Sequence, residues 1–175
     1  MRRITLAFLA GALAVGVIAA PAAAKQPDPG MNIVKTAIAV NNSEAFKGSF
    51  DTLIELVTKL DLAGPLSERG KLTVFAPTDG AFAATYAALG VANVDEAIAA
   101  LGKPALRDIV LYHVAKGERD AASVLSSSKI RMLNGDFAMV DASVMPPTID
   151  GAPIIATDVY ASNGIIHAVG GVLHP

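Results

Sequence analysis

The sequence predicts a domain of the α+β class, with helices and strands segregated along the chain. Amphipathic helical patterns dominate before residue 129, and short strand-like stretches separated by turn residues dominate after it. Strands and helices do not alternate regularly, which argues against a doubly wound parallel sheet. The length of 175 residues suits one domain of ordinary size.

The first 24 residues have the pattern of an export signal. Two arginines precede an apolar run from 4 to 20, and a proline and three alanines follow it. This order is typical of a cleaved secretory signal. An uncleaved membrane anchor is the alternative, because the run reaches the lower limit of a spanning helix, about 17 residues. We expect cleavage after Ala24, a linker over 25–30, no membrane span in the mature chain, and a secreted or periplasmic location that allows association with the cell surface.

Composition excludes several classes of protein. The chain has no cysteine, so disulfides, thiolate metal sites, a cysteine nucleophile and a lipid anchor on cysteine are ruled out. The formal net charge is −2, and loss of the signal leaves 12 basic against 16 acidic residues, a charge of −4. No basic stretch carries interleaved aromatic residues, so we expect no binding of nucleic acid.

Helices are predicted where apolar side chains recur at spacings of three and four. Asn32 can cap a first helix that runs through Val40, and a second helix spans 50–61, before the break at Gly64 and Pro65. Further helices are expected at 95–101, at about 104–110 and at 121–125, with Gly102 and Pro104 separating the first two of these.

A buried strand is predicted at 71–76, and Pro77 stops it. Thr78 or Asp79 then supplies the capping oxygen for a helix that buries Phe82 and Tyr86. The stretch 111–114 is either a strand or a helix end that passes into one.

Later strands are separated by pairs of turn residues, and Asn-Gly between apolar runs predicts a hairpin. The predicted strands are 129–133, 136–141, 152–158 and 165–173. The turn pairs are Asn134–Gly135, Pro146–Pro147, Asp150–Gly151 and Asn163–Gly164.

The sequence contains no recognisable catalytic motif. The three histidines lack partners at metal-ligand spacing, so a structural role is expected for each of His113, His167 and His174. We expect His113 to be a buried imidazole inside an apolar strand, with proton transfer as the alternative. No serine elbow, phosphate loop, dinucleotide fingerprint or calcium loop is present. We therefore expect no enzyme, no catalytic residue, no cofactor and no metal site. Residues 41–43, Asn-Asn-Ser, fit the acceptor pattern for N-glycosylation, but this pattern is common by chance.

Three segments, in order, resemble the signatures of fasciclin-type (FAS1) domains. The segments are 73–79, 111–114 and 161–169, and smaller matches lie at 32–34, 81–82, 133–135 and 172–175. The resemblance covers about 31–175 and identifies the chain as a single-domain FAS1 protein, and the short, alanine-rich signal indicates that it is exported and of bacterial origin. It implies a wedge-shaped β-sandwich flanked by several α-helices, which agrees with the α+β class.

The residues of these segments also have structural reasons to be present. Capping and turn formation suffice for Thr78, Asp79 and Asn163, and structural roles are expected for the whole set of Thr73, Phe75, Pro77, Thr78, Asp79, Asn163, Gly164 and His167. In animal members of the family, an Asp-Ile pair and the Tyr-His segment are assigned to integrin binding. The matching candidates for partner binding are Asp158, Val159, Tyr112 and His113, with valine replacing isoleucine at 159.

The resemblance implies a monomeric, non-enzymatic protein that mediates cell adhesion or attachment to a surface or extracellular matrix through protein or glycan contacts. The alternative is a carrier of a small apolar ligand such as a carotenoid or lipid, because some algal relatives bind carotenoid and many small residues can leave a groove. We expect His113→Ala to lower stability, and Asp158→Ala to leave stability nearly unchanged while weakening partner binding.

Overall fold

The computed structural model describes residues 30–68 and 70–175. The predicted export signal, its cleavage after Ala24 and linker residues 25–29 lie outside this part of the chain. The described helices are α1 (Ile33–Asn41), α2 (Asp51–Lys59), α3 (Ala63–Glu68), α4 (Asp79–Leu89), α5 (Val94–Tyr112) and α6 (Ala121–Leu125). The strands are β1 (Leu72–Pro77), β2 (Val114–Lys116), β3 (Lys129–Arg131), β4 (Phe137–Asp141), β5 (Thr148–Ile149), β6 (Ala152–Ala161) and β7 (Gly164–Val169).

The strands form a sheet in the order β2-β1-β7-β6-β5-β4-β3. Neighbours run antiparallel except β1 and β7, which pair in parallel from Leu72 opposite Gly164 to Pro77 opposite Val169. A bridge between Ala115 and Met132 connects the two ends of this order. The sheet therefore curls back on itself, and the predicted α+β fold with a β-sandwich and flanking helices is confirmed.

Side chains of the central strands alternate between two cores, as the period of a strand requires. Val74 and Ile166 face the helices and join a helix-side core with residues of α1, α2 and α5. Phe75 and Val169 face the opposite way and join a strand core, to which all seven strands contribute. Because one of these cores lies on each face of β1 and β7, both strands are buried at every position.

Most predicted helices are confirmed. The Asn32 side chain caps α1 by accepting from the N–H of Lys35 at 3.0 Å. The helices predicted at 95–101 and 104–110 are the two arms of α5, which bends at Gly102, where φ is +81°. α5 continues to Tyr112, so the expectation of His113 inside an apolar strand is wrong, and the alternative of a helix end passing into β2 is right.

Other differences concern short elements. Gly64 and Pro65 do not end the helical region but lie in α3, because proline in a first turn lacks only an N–H that has no intrahelical partner. The two-residue strand β5 was not predicted. β7 ends at Val169, short of the predicted 173, and β6 extends to Ala161 through register shifts. Among the described residues, no helix is both long and apolar enough to cross a membrane.

Candidate functional site

His113 occupies the C-terminal end of α5 and is buried. Its Nε2 lies 2.8 Å from the backbone N of Leu173, and its Nδ1 lies 2.8 Å from the carbonyl oxygen of Ile109. Because an N–H can only donate, Nε2 must accept and Nδ1 must carry the proton. Burial lowers the pKa of His113 to about 4. The imidazole is therefore neutral at pH 7 and connects α5 to the C-terminal segment.

His167 repeats this arrangement in the middle of β7. Its Nδ1 accepts from the N–H of Asp158 at 3.3 Å, and its Nε2 donates to the carbonyl oxygen of Arg119 at 2.8 Å. The ring stacks on Phe75 of β1 with centroids 5.6 Å apart. Burial lowers the pKa of His167 too. Both motif histidines thus have their two ring nitrogens occupied by backbone groups.

The loop after β2 is also held by Thr73, which is completely buried in β1. Its hydroxyl donates to the carbonyl oxygen of Gly117 at 2.8 Å and accepts from the N–H of Arg119 at 2.9 Å. Together, Thr73 and His167 bond both backbone groups of Arg119, so the loop is fixed to two adjacent strands.

Asn163, in the turn between β6 and β7, joins several segments. Its side-chain oxygen accepts from the N–H of Ile33 at 2.7 Å, and its amide donates to the carbonyl oxygens of Leu66 at 2.9 Å and Ser67 at 3.3 Å. The next residue, Gly164, has no room for a side chain, because a Cβ there would lie 2.0 Å from the carbonyl oxygen of Leu72. The turn therefore connects α1, α3 and β1.

Asp79 caps a helix other than the one predicted. Its carboxylate accepts from the N–H groups of Thr52 at 2.9 Å and Asp51 at 3.2 Å, at the start of α2. Thr78 occupies the N-cap position of α4 but forms no capping hydrogen bond through its side chain. The prediction that Thr78 or Asp79 caps α4 through its side chain is therefore wrong. Pro77 ends β1 as expected.

The start of α2 has a further side-chain partner that the sequence did not reveal. The side-chain oxygen of Asn41 accepts from the N–H of Phe50 at 2.7 Å, and its amide donates to the Asp51 carboxylate at 2.7 Å. Asn41 is buried, so the first residue of the glycosylation pattern has its amide occupied inside the protein.

The four candidates for partner binding are mostly buried. Tyr112, His113 and Val159 each expose 5% or less of their surface. The Tyr112 hydroxyl bonds to the Asp150 carboxylate, and burial and this bond raise the pKa of Tyr112. Asp150 also accepts from the N–H of Met139 at 2.7 Å, which fixes the turn between β5 and β6. No local pattern predicts a tyrosine–aspartate pair 38 residues apart.

Asp158 is the one partly exposed member of these four. Its carboxylate accepts from the N–H of Ala121, the first residue of α6, at 2.8 Å, and its φ is +62°. The side chain thus contributes to the start of α6. A role of Asp158, Val159, Tyr112 and His113 in partner binding stays a prediction.

Two apolar cavities lie beneath α1. One, of about 70 Å³, is lined by residues that include Val34, Leu53 and Val110, and the other, of about 20 Å³, lies next to it around Ala37 and Phe46. Two wider clefts of about 430 and 400 Å³ open to solvent and carry charged side chains. In the part of the chain that the structure describes, no group of three or more histidine, aspartate or glutamate side chains is arranged to hold a metal ion.

The fold is that of a known family. The model of the fasciclin domain matches residues 48–175, so the chain belongs to the fasciclin family. Protein sll1483 of Synechocystis sp. is 36% identical over 151 residues, which cover 85% of this chain and 76% of that protein. The family match begins after α1, although α1 contributes to the helix-side core and bonds to Asn163.

Animal proteins are also similar. Transforming growth factor-beta-induced protein ig-h3 of Sus scrofa is 30% identical over 127 residues, covering 72% of this chain and 18% of the animal protein. Among solved structures, a FAS1 domain pair from the insect cell adhesion molecule Fasciclin I has a TM-score of 0.55 at 15% identity, covering 72% of this chain and 45% of that one. The structural likeness supports the FAS1 fold.

Proposed function

We propose that this chain is an exported, non-enzymatic attachment protein that binds a protein or glycan of a cell surface or matrix. One observation carries the proposal: the polar side chains of the motif segments bond to the chain's own backbone, as His113, His167 and Asn163 do. The motifs then serve as scaffold, and the outer surface is left to make contacts. A similar fold occurs in Fasciclin I, which is described as an insect cell adhesion molecule.

The proposed absence of catalysis rests on the same bonding pattern. A general base needs a free lone pair within hydrogen-bond reach of a substrate proton. The acceptor nitrogens of His113 and His167 both receive a backbone N–H, and both rings are buried.

The secreted or periplasmic location is supported by the signal pattern of residues 1–24.

Deletion of the gene in the native host tests this function. We expect weaker attachment of cells to surfaces and to each other, with recovery when the gene is restored. A pull-down from native envelope material, analysed by mass spectrometry for proteins and glycans, would identify the partner. Unchanged attachment, aggregation and biofilm formation in the deletion strain would contradict the proposal.

Carriage of a small apolar ligand is the second candidate, and the apolar cavities under α1 favour it. Their volumes of about 70 and 20 Å³ are well below the roughly 300–1,000 Å³ of sites for drug-sized ligands. A carotenoid or lipid would therefore enter only if α1 moved away from the sheet. Protein purified from the native host should then carry pigment or lipid, and Ala37→Leu, which adds volume between the cavities, should reduce the bound amount. Protein free of both would rule out this candidate.

A further inference from the structure

Exposed apolar side chains are concentrated on and just after β4. Nine large apolar residues are exposed among the residues that the structure describes, and four of them lie between 137 and 145. Phe137 is 49% exposed and Met139 57% exposed, whereas Ala138 between them is fully buried. In the following loop, Val144 is 42% and Met145 92% exposed. The two β4 side chains thus point outward from a well-packed strand.

Two cations lie on the same outward face. In the antiparallel pairing of β3 with β4, Lys129 is opposite Met139 and Arg131 is opposite Phe137. Opposite residues of a strand pair project to the same side of the sheet. The Lys129 ammonium lies 4.8 Å from the centroid of the Phe137 ring. These four residues, Lys129, Arg131, Phe137 and Met139, form what we call the outer patch.

The ammonium of Lys129 and the guanidinium of Arg131 are the charged groups of the outer patch. Within the described residues, neither Lys129 nor Arg131 takes part in an ion pair. Asp136, which precedes β4, and Asp141, its last residue, bond to Asn134 and Ser143 and to neither cation. The chain as a whole has a net charge of −2, so the patch differs in sign from the molecule.

We propose that the outer patch docks the protein on an anionic lipid surface. Such a surface presents negative headgroups above a hydrocarbon layer, and interfacial proteins meet it with lysine or arginine beside exposed aromatic and aliphatic side chains. Phe137 and Met139 enter the headgroup boundary, while the long stems of Lys129 and Arg131 keep their charges at the level of the phosphates. Vesicles contain neither protein nor glycan, so binding to them tests this role separately from the proposed attachment function.

Other occupants fit the patch less well. A stable complex with a second copy buries roughly 800 Å² per partner, more than four partly exposed side chains can supply. An anionic polysaccharide satisfies the two cations but gains nothing from the exposed Met139. Of these three occupants, a lipid surface is the one that uses both the charge and the apolar side chains.

Vesicle binding tests the proposal directly. Protein exported by the native host, which we expect to begin at Lys25, is mixed with vesicles of phosphatidylcholine alone, or of equal parts phosphatidylcholine and phosphatidylglycerol, and bound protein is separated by flotation. We expect binding only to the anionic vesicles and weaker binding at high salt. Lys129→Gln with Arg131→Gln should weaken binding about twenty-five-fold, since each cation near an anionic surface contributes about fivefold.

Two further variants make this result specific. Lys47→Gln with Lys103→Gln removes the same charge from exposed helix-side positions and should bind like wild type. Phe137→Thr with Met139→Thr keeps strand propensity and both cations but should also lose binding. The proposal would be overturned if the double variant at Lys47 and Lys103 lost as much binding as the double variant at Lys129 and Arg131. It would also be overturned if wild type bound both kinds of vesicle equally, or if the double threonine variant bound as well as wild type.

A single tryptophan provides a second measurement, because the chain has none. Phe137→Trp should show a blue shift of its fluorescence and quenching by brominated lipid when anionic vesicles are added. Leu89→Trp, at a position 47% exposed at the end of α4, should show neither. The opposite pattern, with only the Leu89→Trp signal changing, would place the contact elsewhere and refute the outer patch.

Discussion

His113 and His167 have the same bonding pattern, in which one ring nitrogen donates to a carbonyl and the other accepts from a backbone N–H. Protonation would remove the acceptor and place a charge in a core that contains few polar groups. The sequence indicated only that both histidines are structural. It could not identify the more distant backbone partners, because Arg119 lies 48 residues from His167 and Leu173 lies 60 residues from His113.

Stability should therefore fall as the solution becomes acidic. The folded pKa of His113, about 4, lies below the unfolded value of about 6.5, so the unfolded chain binds more protons between these values. The contribution of His113 is complete above pH 6.5 and is lost as the pH falls toward 4, at about 1.4 kcal/mol per pH unit. Burial of His167 acts in the same direction. Urea unfolding at several pH values measures this slope.

Variants distinguish the contribution of the histidines to the pH dependence of stability from the contribution of the carboxylates. His113→Leu should lower stability at pH 7 by about 2–4 kcal/mol, because it leaves the Leu173 N–H and the Ile109 carbonyl without partners. It should also flatten the pH dependence. His174→Ala, which changes an exposed histidine and keeps both backbone bonds of His113, should lower stability at pH 7 by about 0.5 kcal/mol or less. An unchanged pH slope in His113→Leu would contradict the neutral, buried assignment.

Asp158 gives a second prediction for a single residue, and it differs from the expectation drawn from sequence. Asp158→Ala removes the acceptor of the Ala121 N–H and places alanine at a φ of +62°. We expect a loss of about 1–2 kcal/mol in the free energy of unfolding. Asp158→Asn keeps an acceptor and tolerates positive φ, so it should lose less than about 0.5 kcal/mol. Equal effects of the two substitutions, measured by urea unfolding, would rule out this role.

Helix α2 begins with N–H groups that are bonded by side chains from elsewhere in the fold. Asn41 bonds the N–H of Phe50, and Asp79 bonds those of Asp51 and Thr52. The first turn of a helix has no partners for its N–H groups within the helix. The motif aspartate therefore stabilises α2, although it lies at the first position of α4.

Asp79→Ala should lower the free energy of unfolding by about 1–2 kcal/mol, because a charged acceptor is removed from a helix start. Amide exchange should accelerate at Asp51 and Thr52 in α2 and not in the first turn of α4. Thr78→Ala should cost about 0.5 kcal/mol or less, since its hydroxyl caps nothing. Faster exchange confined to α4 in Asp79→Ala would contradict the assignment.

Most helices and strands were predictable because their signals are local. Apolar spacing, a capping asparagine and glycine or proline punctuation were enough for α1, α2, α6 and the two arms of α5. The strand β5 was missed because two residues carry no periodicity. The sequence did not predict that Asp79 caps α2 instead of α4, because a capping side chain and the helix that it caps need not be adjacent in sequence.

At the scale of the molecule, the parallel pairing of β1 with β7 brings the first and last motif segments together. The spacing of the segments along the chain does not reveal this contact, because strand pairing across some 90 residues leaves no periodic trace. Asn163 stabilises this pairing at one end of the strands through its bonds to α1 and α3. His167 stabilises it within the sheet through its bond to Arg119. The segments that resemble the family signatures thus contain the side chains that bond distant parts of the chain to each other.

A comparison of two asparagines tests most directly whether the motif side chains are scaffold. Asn163 and Asn134 both precede glycine in a turn, but Asn163 bonds to distant segments and Asn134 only to Asp136. In urea unfolding, Asn163→Ala should lose about 2–4 kcal/mol, and Asn134→Ala about 1 kcal/mol or less. Equal small losses for both substitutions would contradict the account.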